Sequence, residues 1–200
     1  MWFEIICQKD ASVMTLQEEN NKLVPPINFA LVCKGVYRSG YPNPKNFKFL
    51  EKIGLKSILY LCPEEYPKTN REFLEQNGIQ LLHFGMNGNK EPFVDIPEEK
   101  VKLALKAILN PENHPIMIHC NKGKHRTGCV VGCLRKVQNW SLTSVFEEYR
   151  RHAGAKVRSL DLQFIELFDE SSIVPFASAR NASSSTKQET QFDRTVATVY

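Results

Sequence analysis

Short apolar segments alternate with amphipathic, helix-like segments along the middle of the chain, and this alternation limits the folds open to it. LKSILYL, IQLLHFG and PIMIHC are runs of strand length, separated by the helix-like stretches TNREFLEQNG and IPEEKVKLALKAILN. Strands that alternate with helices form a mainly parallel sheet whose two faces are covered by helices. The sequence therefore predicts an α/β fold with a central, mainly parallel sheet flanked by helices.

Only the central part of the chain carries this pattern. Residues 1–22 are polar after the first few and show no sustained period, so we predict a flexible N-terminal extension there. Residues 23–170 form the predicted domain. From residue 171 the chain is rich in Ser and Thr, which is typical of a disordered tail. A length of 200 residues suits one such domain and is short for two.

Composition and charge exclude several classes of protein. The formal net charge of +4 is too small for the basic surface of a nonspecific nucleic-acid binder. No segment has transmembrane length, and the start lacks the basic region of a secretory signal. The six cysteines show no C-x-x-C pair and no zinc spacing. We therefore expect a protein of the cytoplasm or nucleus, with no metal, cofactor, membrane or nucleic acid as partner.

The densest cluster of reactive side chains lies in the stretch PIMIHCNKGKHRTG. Cys120 ends the last apolar run, and Lys122, Lys124, His125 and Arg126 follow within six positions. Like charges this close repel one another unless an anion lies between them. Ligands of parallel sheets bind beyond the carboxyl ends of the strands. The sequence therefore predicts an anion-binding site at Cys120.

The residues after Cys120 fit a loop that binds phosphate. They connect a strand to a helix that we predict to begin near Thr127, and the amides of the loop and of the first helical turn can point inward. A tight arc needs a residue without a Cβ atom, which Gly123 supplies. The loop residues predicted to bind the phosphate are Asn121, Lys122, Gly123, Lys124, His125 and Arg126.

The same surroundings activate the thiol. A helix N-terminus and nearby cations lower the pKa of a cysteine from about 8.5 to roughly 3.5–7.5, so we expect Cys120 to be a nucleophilic thiolate at neutral pH. Arg126 can bind two phosphoryl oxygens through its planar fork, and Thr127 can donate its hydroxyl to the sulfur. A second C-x5-R pair, Cys129 and Arg135, lies in an apolar, helix-like segment. We interpret that pair as a buried helix cysteine and a surface arginine.

HCNKGKHRTG resembles the signature H-C-x-x-G-x-x-R-S/T of cysteine-dependent phosphatases, the protein tyrosine phosphatase superfamily. With VPPINFALV, VYRSGYPNPKNF, LCPEEYP and GNKEPFVDIP, the chain is similar to the plant-and-fungal atypical dual-specificity phosphatases over about residues 24–169. The resemblance implies the cysteine-dependent phosphatase fold and cleavage of the β-phosphate of inositol pyrophosphates, chiefly at the 5-position, through a phosphocysteine intermediate. A tyrosine or dual-specificity protein phosphatase is the alternative that the same loop allows.

Positive charge in and around the loop favours a dense polyanion as substrate. The two lysines and the histidine of the loop carry more charge than one phosphotyrosine needs, and a crowded polyphosphate would profit from it. Further cations lie within the stretches GNK and RRHAGAKVR. The substrate-binding residues predicted outside the loop are Asn89, Lys90, Lys156 and Arg158. A catalytically inactive phosphate-binding module would lack the cysteine or the arginine, and both are present.

The general acid is the least defined part of the prediction. In the region GMNGNKEPFVDIPEE the candidates for the general acid are Asp95 and Glu91, and Asp95 equally suits a helix N-cap. Cleavage of a phosphoanhydride releases a phosphate, which is far less basic than an alkoxide and needs little proton transfer. A site without a firm acid therefore favours pyrophosphates over phosphoserine or phosphothreonine, and it leaves aryl phosphates open.

Overall fold

The computed structural model describes residues 23–90, 92–93 and 96–177, and its centre is a five-stranded sheet. The strands are β1 (Ala30–Cys33), β2 (Val36–Ser39), β3 (Ser57–Tyr60), β4 (Gln80–His83) and β5 (Ile116–His119). Their order is β1-β2-β5-β3-β4. The β1 and β2 strands pair antiparallel, and the other neighbours pair parallel. The predicted mainly parallel sheet is confirmed.

Helices border this sheet, including at TNREFLEQNG, at IPEEKVKLALKAILN and after the Cys120 loop, where the sequence predicts them. The longer ones are α1 (Phe47–Lys52), α2 (Lys68–Gln76), α3 (Glu98–Ile108), α4 (His125–Val137), α5 (Leu142–Ala153) and α6 (Ser159–Leu167). The α4 helix begins at His125, two residues before the start that we predicted near Thr127. Within the part of the chain that the structure describes, no helix is long and apolar enough to cross a membrane.

The core lies on both faces of the two central strands. Every residue of β3 and β5 is buried, and successive residues of a strand point to opposite faces, so both faces are covered. The α4 helix packs against α3, α5 and α6. Its contact with α6 depends on Gly132, because a Cβ atom there would lie 2.6 Å from the Cδ1 atom of Ile165. The carboxyl ends of β3 and β5 therefore lie side by side at one edge of a rigid layer.

The ordered part of the chain continues past the predicted domain boundary at residue 170. Residues 171–173 form a turn and residues 174–177 a helical turn, and the side chain of Ile173 is fully buried. This apolar anchor corrects the prediction that a disordered tail begins at residue 171. The predictions for residues 1–22 and 178–200 concern segments outside the described residues.

The second C-x5-R pair is structural. Cys129 is fully buried inside α4, as we predicted. The prediction of a surface arginine is wrong, because Arg135 is 5% exposed and binds the carboxylate of Glu148 with its Nε and Nη2 atoms at 2.7 and 3.1 Å. Its guanidinium also lies 4.0 Å from the ring centroid of Trp140. A carboxylate on the neighbouring helix α5 makes this burial possible.

Candidate active site

The predicted loop connects the end of β5 to the start of α4 and packs against the chain that leaves β2. The amide of Tyr41 donates a hydrogen bond to the carbonyl oxygen of Asn121 at 3.0 Å. Gly123 has a φ of +66°, and a Cβ atom there would lie 2.5 Å from the carbonyl group of Ser39. Both the left-handed backbone and this close approach require glycine at position 123.

Cys120 opens into a cavity of about 440 Å³ that is rich in cations. Cys120 is only 3% exposed, so its sulfur is shielded from bulk water. The other lining residues are Ile27, Asn121, Lys122, Lys124, His125, Arg126, Lys156 and Arg158. Among the described residues, no carboxylate lines this cavity. The structure thus brings the loop together with two of the predicted residues outside it, Lys156 and Arg158.

Arg126 and Thr127 lie in the first turn of α4, beside the cavity. The Nη1 atom of Arg126 donates to the carbonyl oxygen of Met86 at 3.3 Å, which orients the guanidinium while leaving its other donors available. Thr127 is fully buried, and its Oγ1 atom has no hydrogen-bond partner among the residues that the structure describes. Its hydroxyl is therefore available to the sulfur or to an oxygen of a bound phosphoryl group.

Two side chains of the loop, Lys124 and His125, form hydrogen bonds to the end of α5 and the turn Gly154–Lys156. The Nζ atom of Lys124 donates to the carbonyl oxygen of Ala153 at 3.0 Å. The Nε2 atom of His125 donates to the carbonyl oxygen of Lys156 at 2.7 Å. These contacts hold Lys156 at the cavity, because its own backbone is one of the acceptors.

A second hollow of about 320 Å³ adjoins the cavity and shares His125, Arg126 and Arg158 with it. Lys90 and Glu64 also line this hollow. The structure therefore places the predicted residue Lys90 next to the Cys120 cavity rather than inside it. Among the described residues that line the two spaces, Glu64 is the one with a carboxylate.

The predicted contact of Asn89 with substrate needs correction. Its side chain is fully buried, and its Nδ2 atom donates to the Oδ1 atom of Asp161 at 3.0 Å. Its Oδ1 atom accepts a hydrogen bond from the amide of Ile96 at 3.0 Å. Its carbonyl oxygen accepts from the Nη1 atom of Arg158 at 2.7 Å. Asn89 thus holds Arg158 and the neighbouring loop in position, and its side chain does not face the cavity.

Both candidates for the general acid, Asp95 and Glu91, lie outside the described residues. Their roles stay predictions. The flanking residues that the structure describes form a short antiparallel bridge, in which the amide of Phe93 donates to the carbonyl oxygen of Lys90 at 2.7 Å.

Comparison with known proteins identifies the family. A family model described as the tyrosine phosphatase family matches residues 23–187. The chain belongs to this family. It is 60% identical over 151 residues to the inositol diphosphatase DSP1 of Oryza sativa subsp. japonica. The aligned region covers 76% of this chain and 68% of that protein. It is 55% identical over 177 residues to the inositol diphosphatase SIW14 of Saccharomyces cerevisiae, covering 87% and 63%.

A solved structure supports the fold of this member of the tyrosine phosphatase family. The core catalytic domain of the PP-IP phosphatase SIW14 from S. cerevisiae matches it with a TM-score of 0.76 and 53% sequence identity. The match covers 80% of this chain and 96% of that one. The predicted family and the cysteine-dependent phosphatase fold are therefore confirmed.

A neutral histidine supports the phosphatase loop, residues 120–126, through hydrogen bonds. His119 is fully buried, and its ring nitrogens lie 3.2 Å from the hydroxyl of Tyr66 and 3.3 Å from the carbonyl oxygen of Cys120. Burial lowers the pKa of His119 to about 4, so the ring is uncharged at neutral pH. His119 therefore acts as a hydrogen-bonding support for the loop.

Sequence reasoning missed two residues behind the phosphatase loop. Arg38, in β2, is 1% exposed and donates its Nη2 atom to the carbonyl oxygen of Gly123 at 3.1 Å. Asn28 donates its Nδ2 atom to the same oxygen at 2.9 Å. The one signal in the sequence was an arginine inside the strand-like run VYRSG, where a charged residue is unusual.

Proposed function

We propose that this protein cleaves the β-phosphate of inositol pyrophosphates, with a preference for the 5-position, through a phosphocysteine intermediate. The observation that carries the proposal is the Cys120 cavity, which five Lys and Arg side chains and His125 line without a carboxylate among the described residues. Such a concentration of charge suits a substrate that presents several phosphates at once. The names of the relatives, inositol diphosphatases, support the same substrate class.

In the first step, the sulfur of Cys120 attacks the β-phosphorus. A sulfur–phosphorus bond forms as the bond from phosphorus to the bridging oxygen breaks, and that oxygen leaves as part of the α-phosphate on the inositol ring. Arg126 and the loop amides hold the oxygens of the transferring group. Lys156 and Arg158 line the same cavity and are positioned to stabilise the charge of the leaving phosphate. Because this leaving group is weakly basic, the step needs little proton transfer.

In the second step, water attacks the phosphocysteine. An oxygen–phosphorus bond forms, the sulfur–phosphorus bond breaks, and the proton of the water leaves with the product phosphate. The buried hydroxyl of Thr127 can donate to the departing sulfur, which returns as a thiolate. The side chains supply all the positive charge that these two steps require, so the proposed reaction needs no metal ion.

A tyrosine or dual-specificity protein phosphatase is the second candidate, because it would use the same nucleophile and loop. One observation favours it. Ile27, which is 56% exposed, contributes an apolar wall to the otherwise cationic cavity, and an aryl ring could pack against that wall. An aryl phosphate also has a good leaving group, so the absence of a firm acid does not separate the two candidates.

The deciding experiment measures phosphate release from a 5-position inositol pyrophosphate and from a phosphotyrosine peptide, side by side and without added metal. Cys120→Ser serves as the blank. Cys33→Ser is the matched control, because Cys33 is half-buried in β1 and does not line the cavity. We expect faster turnover of the pyrophosphate by the wild-type protein and by Cys33→Ser. Faster turnover of the peptide would contradict the proposal and favour the second candidate.

The charge argument has its own test. Lys156→Ala removes one cation from the cavity and keeps the carbonyl that His125 binds. We expect the KM for the inositol pyrophosphate to rise about tenfold, the worth of one charge-assisted contact, and the KM for p-nitrophenyl phosphate to change little. Lys52→Ala, at an exposed lysine of α1, is the matched control. An equal change for both substrates would mean that the cavity does not select a polyanion.

A further inference from the structure

Two side chains from outside the phosphatase loop donate to one and the same carbonyl oxygen within it. That oxygen belongs to Gly123, and it accepts from Arg38 Nη2 at 3.1 Å and from Asn28 Nδ2 at 2.9 Å. Arg38 reaches it from β2 and Asn28 from the segment that precedes β1. Neither bond is local, because the sequence separations are 85 and 95 residues.

The direction of this carbonyl group determines the direction of the next amide. In a trans peptide, the C=O of one residue and the N–H of the following residue point in opposite directions. Arg38 is almost fully buried and does not line the cavity, so the Gly123 carbonyl that it binds points away from the cavity. The N–H group of Lys124 therefore points toward the interior of the loop, where a phosphoryl oxygen would bind.

The peptide would not hold this orientation without help. Gly123 lies at a φ of +66°, and glycine has the widest choice of backbone conformations of any residue. Two donors on its carbonyl oxygen oppose a flip of the peptide, since a flip would leave a buried guanidinium and an amide without this acceptor. The two hydrogen bonds thus pre-organise the loop before substrate arrives.

Arg38 also places a positive charge behind the anion site. Its Nε and Nη1 atoms have no hydrogen-bond partner among the described residues, and the nearby carboxylate of Glu148 is bound to Arg135. Burial lowers the pKa of Arg38 to about 10, so the guanidinium stays charged at neutral pH. The negative charge of Glu148, and after it that of Cys120, acts on the pKa of Arg38 in the opposite direction. A buried cation without a paired carboxylate is costly, and a thiolate or a bound phosphoryl group compensates for it.

Asn28 connects the loop to a third part of the chain. Its Nδ2 atom also donates to the carbonyl oxygen of His152 at 3.1 Å, and its Oδ1 atom accepts from the Nδ1 atom of that ring at 2.9 Å. Asn28 adopts a φ of +58°, a left-handed conformation that asparagine tolerates better than most residues. One amide group therefore fixes the loop against the end of α5.

We infer that Arg38 and Asn28 are positioning residues, which clamp the Gly123 carbonyl and thereby hold the amide of Lys124 in the geometry that binds the transferring phosphoryl group. The inference rests on the proposed cysteine-phosphatase chemistry and extends it to residues that do not touch the substrate. It concerns the binding of any tetrahedral or trigonal-bipyramidal oxyanion at the loop, whatever the substrate behind it.

Asn28→Gly tests the clamp without straining the folded backbone, because glycine accepts a positive φ while the amide group is lost. Asn139→Gly is the matched control, since Asn139 has a φ of +59° and is exposed just beyond the C-terminal end of α4, at the opposite end of that helix from the loop. We expect Asn28→Gly to weaken inhibition by vanadate about tenfold and to lower kcat for p-nitrophenyl phosphate by a similar factor, less than the roughly hundredfold loss that removal of a direct oxyanion donor causes.

The expected result for the control is unchanged inhibition and turnover. If Asn28→Gly matched Asn139→Gly in both measurements, the clamp would be refuted. Vanadate inhibition and turnover of p-nitrophenyl phosphate report on the loop whichever phosphate compound the protein cleaves in nature. Failure of the proposed substrate and failure of this inference therefore give different results.

Arg38→Lys and Arg38→Met test the charge. We expect Arg38→Met to slow alkylation of Cys120 by iodoacetamide at pH 6 by about threefold or more, because the thiolate loses a favourable charge interaction. Arg38→Lys keeps the charge and should recover most of that rate, which a purely structural role would not predict. Equal alkylation rates in Arg38→Met and the wild-type protein would overturn the electrostatic part of the inference.

Discussion

Acidification should destabilise the protein through His119, the buried residue at the end of β5. Its ring contacts the hydroxyl of Tyr66 and the carbonyl oxygen of Cys120, and no part of it reaches solvent. Burial lowers the pKa of His119 from its ordinary value of 6.5 to about 4. In the unfolded chain the ring binds a proton near pH 6.5, and in the folded protein it does so only near pH 4. Protonation between these values therefore favours unfolding.

The size of the effect follows from the two pKa values. At pH 7 the ring is mostly neutral in both states, so its contribution to the pH dependence is small. At pH 5 the ring is almost fully protonated in the unfolded chain and mostly neutral in the folded protein. The linkage relation then gives a loss of stability on the order of 2 kcal/mol between pH 7 and pH 5. This is a substantial part of the roughly 5–15 kcal/mol by which ordinary domains are stable.

Urea unfolding at pH 7, 6 and 5 measures this loss, with His119→Gln as the variant that cannot titrate. The glutamine amide can still contact Tyr66. The free energy of unfolding of His119→Gln should fall by about 2 kcal/mol less over this range than that of the wild-type protein. Comparing the slopes of the unfolding free energy against pH in the two proteins removes the contributions of all other titrating groups. Any cavity left by the substitution lowers the stability equally at each pH.

His152→Gln is the second comparison. Burial, with a smaller contribution from the charge of Arg38, lowers the pKa of His152 to about 4 as well. The ring of His152 is only half-buried, so solvent screening reduces the effect. The slope of the unfolding free energy against pH should therefore change less in His152→Gln than in His119→Gln. If wild-type and His119→Gln proteins lost stability in parallel between pH 7 and pH 5, the argument from burial would be wrong.

Four further substitutions separate chemistry from stability. Arg126→Lys keeps the charge but loses the planar fork, and kcat should fall by roughly 10²–10³-fold in steady-state assays while the melting temperature changes little. Gly123→Ala should abolish turnover and lower the melting temperature, whereas Gly54→Ala, at φ +63° with open space around it, should cost only about 1 kcal/mol and retain turnover. Glu148→Ala leaves the buried guanidinium of Arg135 without its carboxylate, so urea unfolding should show a loss of about 3–5 kcal/mol. Unchanged urea stability there would contradict the assignment of this pair as structural.

The fold class could be predicted because its signals are local. Strand-length apolar runs such as IQLLHFG and amphipathic stretches such as IPEEKVKLALKAILN reveal their periods within a few residues. The order of the strands is not local, and nothing in the periodicity indicates that β2 pairs with β5. The prediction of a tail from residue 171 failed for a related reason, since composition does not reveal that a single apolar side chain, Ile173, finds a place in the core.

The loop at the centre of the candidate active site could also be predicted from the sequence. A nucleophile, a helix start and the donors between them must be contiguous in a phosphate-binding loop, so HCNKGKHRTG contains the chemistry in one stretch. Residues outside that stretch were harder to assign. Asn89 was predicted to touch substrate, yet its partner Asp161 lies 72 residues away and binds the amide in the interior. A polar side chain beside a lysine looks the same in sequence whether it faces a ligand or a buried carboxylate.

By itself, the sequence determined the family and the alternation of strands and helices, and it predicted the nucleophile and its arginine. Only the tertiary structure decided which carbonyl the Arg38 guanidinium binds, that Asn28 joins the loop to the end of α5, and that Lys156 and Arg158 share a cavity with Cys120. The physical reason is that hydrogen bonds and charge interactions act between atoms that folding brings within a few ångströms. Local patterns encode how the chain forms its elements, and the packing of those elements selects the partners.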